Sequence, residues 1–249
     1  AMIVMKFGGT SVGSGERIRG LVERVRERLP RGPVVVVSAL SGVTDLLIRG
    51  ARESQRRAEA VHEIVTLLLE RHRDVIQSLF TSGPQHAQLM SHLGLVLTEL
   101  QTIYTGVQYL GELSPRSLDV IAACGERLSC EIVAAALEAG GITARGVDAR
   151  GLLVTDEAHG RAQPIMDETA LRVRELLRPL VAHDVVPVVP GFIGSTRDGV
   201  TTTLGRGGSD WSAAVIGALL PAEEIQIWTD VDGLLTVDPR LIPAARVIS

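Results

Sequence analysis

Five short apolar runs rich in β-branched residues constrain the fold of this chain most tightly. They lie at residues 3–7, 34–38, 142–147, 185–189 and 225–229, each bounded by glycine, proline or charged residues. Runs of this length without strict alternation suit strands buried on both faces. Amphipathic helical patterns lie between them at 16–29, 126–139, 167–181 and 209–219. In the first, Ile18, Leu21, Val22, Val25 and Leu29 share one face; in the second, Leu128, Ile132, Val133, Ala136 and Leu137 point inward; in the last, Trp211, Ala214, Val215 and Ala218 form the apolar side. Strands alternating with helices predict an α/β chain whose mainly parallel sheet is covered on both faces. The alternation breaks between about 51 and 113, where two long amphipathic helices fit. The second carries Leu89, Leu93, Val96, Leu97, Leu100, Ile103, Tyr104, Val107 and Leu110 at helical spacing after the turn Thr81-Ser82-Gly83-Pro84. One domain spanning 1–249, with an inserted helical hairpin, is expected.

Composition narrows the function classes. Length is sufficient for a sizeable core at 249 residues, and the balance of 25 basic and 29 acidic side chains, with no Lys/Arg run, predicts no nucleic-acid surface. The arginines between 17 and 28 fall on the wet face of their helix beside Glu23 and Glu27. Only Cys124 and Cys130 occur, at a spacing that fits neither a zinc pair nor a redox dithiol, so a reducing cytoplasmic setting is expected. No apolar run approaches the ~20 residues of a membrane span, and no membrane partner is predicted. The six histidines are dispersed, four of them between His62 and His92, and read as surface residues. No Gly-x-Ser-x-Gly elbow accompanies Ser, His and Asp, and no protein metal site is predicted.

Glycine-rich turns follow several of the predicted strands, at the edge where open α/β sheets bind ligands. In Lys6-Phe7-Gly8-Gly9-Thr10-Ser11, the glycines admit backbone N–H groups to phosphate oxygens and the lysine adds a point charge. A tight turn with an exposed lysine explains that segment equally well. A Walker-type loop fails, because Ser14 follows Gly13 where lysine is required. In Gly205-Arg206-Gly207-Gly208-Ser209-Asp210, a helix N-terminus with free N–H groups meets an arginine able to grip a carboxylate or phosphate. Ser209 or Asp210 as a plain N-cap is the bland reading, and three glycines exceed what a cap needs. Trp228-Thr229-Asp230-Val231-Asp232-Gly233, followed by Val237-Asp238-Pro239-Arg240, reads as loop from composition alone. Small and hydroxyl residues run from Ser38 to Thr44, and Glu126 offers an acceptor for an ammonium group. Glu126 equally suits the positive end of the helix it is expected to open.

Taken together and in order, Lys6 to Val12, Ser38 to Thr44, Gly125-Glu126-Arg127-Leu128-Ser129, Pro190-Gly191-Phe192-Ile193-Gly194, Thr202 to Asp210 and Trp228 to Gly233 resemble the catalytic domain of the aspartokinases, in the amino-acid kinase superfamily. Gly160-Arg161-Ala162 and Asp148-Ala149-Arg150 resemble lysine-sensitive members more loosely. The resemblance implies a three-layer α/β/α sandwich and transfer of the ATP γ-phosphoryl group to the β-carboxylate of L-aspartate, with Mg2+ held through the nucleotide. It implies Lys6 and Asp210 as the catalytic pair, and Ser38, Thr44, Glu126, Phe192, Arg206 and Ser209 as aspartate ligands. Lys6, Gly8, Gly9, Thr229, Asp230, Leu235 and Arg240 are the implied ATP ligands, and a homodimer is expected. Leu235 departs from the aromatic residue that the family places there. The 249 residues end before the family's Gly-Ala-Lys-Val-Leu-His-Pro stretch and its ACT regulatory domains. A domain that captures aspartate or nucleotide without turnover, and a glutamate-type amino-acid kinase, are the alternatives.

Overall fold

The computed structural model describes residues 2–229, so Asp230, Leu235 and Arg240 lie outside the described residues. The strands are β1 (Ile3–Phe7), β2 (Pro33–Val37), β3 (Ala144–Gly146), β4 (Val186–Pro190), β5 (Ile193–Ser195), β6 (Thr201–Thr203) and β7 (Glu224–Trp228). Five of them form one parallel sheet in the order β3-β4-β2-β1-β7, while β5 and β6 make a separate antiparallel pair. Every residue of β1 and β2 is buried, as the unbroken apolar runs require. Phe7 stands opposite both Val37 and Trp228, and Val37 opposite Pro190. Four strands therefore finish level, and the segments that follow them emerge along one edge.

Helices cover both faces. Ile3, Met5, Phe7, Val35 and Val37 pack with α1 (Gly15–Arg28), the helices α2 (Val43–Ser54), α3 (Glu59–Leu79) and α4 (Pro84–Leu110), and α5 (Pro115–Ala139). Val4, Val34 and Val36 face the other way, against α6 (Met166–Ala182) and α7 (Gly208–Leu219). The expected three-layer arrangement is present. Alternation along β1 puts Lys6 on the same face as Val4, the face covered by α7. At the end of the sheet Trp228 stacks on Phe7 with ring centroids 6.1 Å apart, and the Arg24 guanidinium lies 4.4 Å from its centroid. No helix among the described residues is long and apolar enough to cross a membrane.

Several expectations require correction. The excursion begins earlier than 51, because α2 starts at Val43, directly after the Ser38–Gly42 turn. Helix α5 starts at Pro115 rather than 126, with Ser114 as its N-cap accepting from Ser117 N at 3.1 Å. Gly125 and Glu126 are thus mid-helix, and Glu126 has no role at a helix end. Gly125 is no break: a Cβ there would stand 2.7 Å from Ala39 Cβ, so glycine permits the helix to touch the turn after β2. The strand expected at 142–147 shortens to three residues. Leu29 lies beyond α1 and is partly exposed, and Leu110 is 78% exposed at the end of α4. The buried face of α7 is Ser212, Ala213, Val215, Ile216 and Gly217, while Trp211 and Ala218 face outward. Its apolar stretch offers no polar residues to set the phase. His72 is wholly buried, its Nδ1 donating to Leu68 O at 2.7 Å, contrary to a surface reading.

Candidate active site

The edge where the strands end encloses a cavity of about 530 Å³. Its floor begins at Lys6, buried in β1 except for a small exposed fraction. Lys6 Nζ lies 2.8 Å from Asp210 Oδ1 in the first turn of α7, which packs on the same face of the sheet. The residue preceding that helix is Gly207, in the left-handed region at φ 72°, and no side chain caps it. Ser209 and Asp210 are therefore not caps, and their side chains point to other partners. Asp210 meets Lys6, and Ser209 Oγ accepts from Ser38 Oγ at 3.1 Å.

Close backbone packing holds this corner together. A Cβ on Gly191 would lie 2.8 Å from Ser209 Cβ, and one on Gly208 would lie 2.7 Å from the Phe192 ring. Phe192 itself has φ 72°, a conformation that costs a bulky residue on the order of 1–3 kcal/mol. Two hydrogen bonds retain it there: Phe192 N donates to Ser212 Oγ at 2.9 Å, and Leu204 N donates to Phe192 O at 2.9 Å. These hydrogen bonds offset the strain and fix an aromatic ring against the start of α7.

The turn after β1 is anchored to the end of β7. Gly8 N donates to Trp228 O at 3.1 Å and Ser11 Oγ to the same oxygen at 3.3 Å. The Gly8 amide is thereby engaged within the protein, which shifts the role of backbone donor from Gly8 toward Gly9 and Thr10, both on the cavity wall. A Cβ on Gly9 would come within 3.1 Å of Ala39 O, so the two turns approach closely.

Glu126 also lines the cavity. It projects from the middle of α5, is 4% exposed, and its Oε2 finds no hydrogen-bond partner among the described residues. Burial pushes its carboxyl up to about 8, against the weaker pull of backbone hydrogen bonds at Glu126 and Ala39. A buried carboxyl oxygen left without a partner at a cavity wall is a receptor for a cationic donor.

Lys6, Gly8, Gly9, Ser38, Thr44, Glu126, Phe192, Ser209 and Thr229 all line this one cavity. Asp210 joins them through Lys6, whereas Arg206 is exposed beside the cavity in the Gly205–Gly208 turn. Asp230, Leu235 and Arg240 lie outside the described residues. The wall also carries Thr10 and Ser41, which lie within the segments singled out above but were not named as ligands, and Asp45, which lies just beyond them.

Residues 1–249 match the model of the amino acid kinase family. The chain belongs to that family. It is 36% identical to aspartokinase 1, chloroplastic, of Arabidopsis thaliana, the match covering 98% of this chain and 43% of that protein. To the aspartokinase of Schizosaccharomyces pombe it is 35% identical, over 99% of this chain and 49% of the relative. The fold superposes on E. coli aspartokinase III in complex with aspartate and ADP (R-state) with a TM-score of 0.92 at 29% identity, covering 100% of this chain and 53% of that one. Isopentenyl phosphate kinase shares the fold alone, at a TM-score of 0.55 and 18% identity. This amino acid kinase chain spans about half the length, or less, of the relatives it matches.

The hydrogen-bonding roles of two polar residues of this amino acid kinase, Ser129 and Asp119, were not read from the sequence. Ser129 Oγ, one helical turn after Glu126, donates to Ser38 O at 2.6 Å and joins α5 to the end of β2. Asp119, buried near the start of α5, is a carboxylate within Leu118-Asp119-Val120-Ile121. A charge on the buried face of a helix was the available signal. Among the described residues no cluster of three or more His, Cys, Asp or Glu forms a metal site.

Proposed function

We propose that this chain is the catalytic domain of an aspartate kinase, which transfers the γ-phosphoryl group of ATP to the β-carboxylate of L-aspartate and yields 4-phospho-L-aspartate and ADP. The observation that carries the reading is that one cavity is lined both by Glu126, whose buried Oε2 has no hydrogen-bond partner among the described residues, and by Lys6 with its Asp210 partner. An amino acid with an anionic side chain matches that arrangement. Its ammonium group meets Glu126, and its β-carboxylate lies toward Lys6. The names of the relatives, and the aspartate and ADP in the E. coli complex, support the same substrates.

The chemistry is balanced without a base. A β-carboxylate oxygen, already anionic, forms the new O–P bond as the bond from Pγ to the β,γ-bridging oxygen breaks, and ADP carries away the electron pair. Positioning and charge neutralisation supply the rate. Lys6 neutralises charge on the transferring group, and Asp210 holds the Lys6 ammonium at 2.8 Å. Ser38, Thr44, Phe192, Arg206 and Ser209 complete the aspartate site with Glu126. Gly9 and Thr229, with Gly8, Asp230, Leu235 and Arg240, form the nucleotide side. Magnesium would be carried by the nucleotide phosphates and would supply further charge neutralisation there. Within this reading the protein acts in the cytoplasm as a homodimer.

An ADP-release assay on the complete protein with Mg2+, ATP and a panel of amino acids tests the substrate. L-aspartate is expected to stimulate turnover strongly over glutamate and N-acetylglutamate. Equal or greater stimulation by glutamate, or none by aspartate, sinks the reading.

A further inference from the structure

Helix α5 carries a second buried carboxylate, on the same side as Glu126. Asp119 lies seven residues earlier, two helical turns away, and is almost fully buried. Its two oxygens accept from three separate places. Thr203 Oγ1 at the end of β6 donates to Oδ1 at 2.5 Å. His159 Nδ1 donates to Oδ2 at 2.7 Å, and Gly160 N reaches both oxygens at 3.0 and 3.1 Å.

These partners border the glycine turn that bounds the cavity. Thr203 is followed by Leu204 and then Gly205, and Ala162 N donates to Thr203 O at 2.9 Å. Gly205 has φ 80° and backs so closely on the 159–161 turn that a Cβ would stand 3.0 Å from Gly160 O. The Asp119 carboxylate thus fastens both layers, β6 and the His159–Gly160 turn, from which Gly205–Gly208 projects.

We propose that Asp119 is a positioning residue for the amino-acid site. Through Thr203 and Gly160 it sets the Gly205–Gly208 turn, and with it Arg206 and Ser209. One helix then establishes both ends of the amino-acid pocket: Glu126 directly at the ammonium end, and Asp119 indirectly at the turn facing the carboxylate. This rests on the aspartate reading for the identity of the ligand, but the mechanical claim about the turn does not.

Three variants of the full chain separate the possibilities: Asp119→Asn, Thr203→Val, which keeps shape and removes the hydroxyl donor, and Thr203→Ser, which restores it. Hydrogen exchange of the unliganded protein reads the turn, and calorimetry with L-aspartate and with ADP reads the two ligand sides. Loss of a buried hydrogen bond to a charged acceptor predicts, in the first two variants, about tenfold faster exchange at 205–209 and about tenfold weaker aspartate binding. Protection of β1 and β2 and the affinity for ADP stay unchanged, and Thr203→Ser behaves as the parent. Unchanged exchange at 205–209 overturns the proposal, as does an equal loss of protection across β1 and β2, which marks Asp119 as a general structural acid. A parent protein without aspartate affinity overturns the substrate reading instead, and the exchange arm then decides the positioning role alone.

Discussion

Glu126 sits in α5 with its carboxyl raised to about 8 by burial, so near neutral pH it is largely protonated when the cavity holds no cation. An ammonium group requires the carboxylate, so binding drives a proton off. Aspartate affinity is expected to rise by up to about tenfold per pH unit below about 8 and to level above it. Calorimetry in buffers of different ionisation enthalpy reads the released proton. Glu126→Gln removes this slope and weakens aspartate binding by about ten- to hundredfold, the scale of a lost hydrogen bond to a charged group. A variant that retains both affinity and slope contradicts the assignment.

At the scale of elements, the site depends on how closely α5 and the first turns of the sheet approach one another. Gly125→Ala tests that contact. Alanine gains about 0.8–1 kcal/mol of helix propensity over glycine, but its Cβ would stand 2.7 Å from Ala39 Cβ, and overpacking of that kind costs about 1–3 kcal/mol. Net destabilisation in denaturant melts is expected, and a more stable variant would show that the contact is slack. The same glycine explains what the sequence concealed. Strand β1 and the glycine turns were legible because continuous apolar runs and turn residues are local signals. Gly125 is locally a helix breaker, and only the neighbouring turn after β2 reveals why the helix needs it, so α5 appeared to begin eleven residues late. The α7 face was misphased because nearly every residue from Ala213 to Leu220 is apolar. The roles of Asp119 and Ser129 stayed hidden because their partners, Thr203 and Ser38, lie far away in sequence. Of the candidate site, the residues at strand ends were legible; the hydrogen bonds that aim them were not.

For the whole molecule, two buried titrating groups pull stability in opposite directions. The folded Glu126 carboxyl lies above its ordinary 4.5, so its contribution is full below about 4.5 and is lost as pH rises through about 8. Burial pushes the His72 imidazole down to about 4 from 6.5, so its contribution is present above about 6.5 and is lost as pH falls through about 4. Thermal melts of the unliganded protein across pH 4 to 9 are expected to show both limbs, with Glu126→Gln flattening the alkaline one and His72→Leu the acid one. Parallel curves for parent and variants would place the titration elsewhere. The central claim is that the cavity at the strand ends directs phosphoryl transfer onto the side-chain carboxylate of aspartate, and trapping with hydroxylamine reads that product directly. With Mg2+, ATP and L-aspartate, the complete protein should form the β-hydroxamate in step with ADP release. ADP release without hydroxamate, or hydroxamate formed preferentially from glutamate, would contradict it.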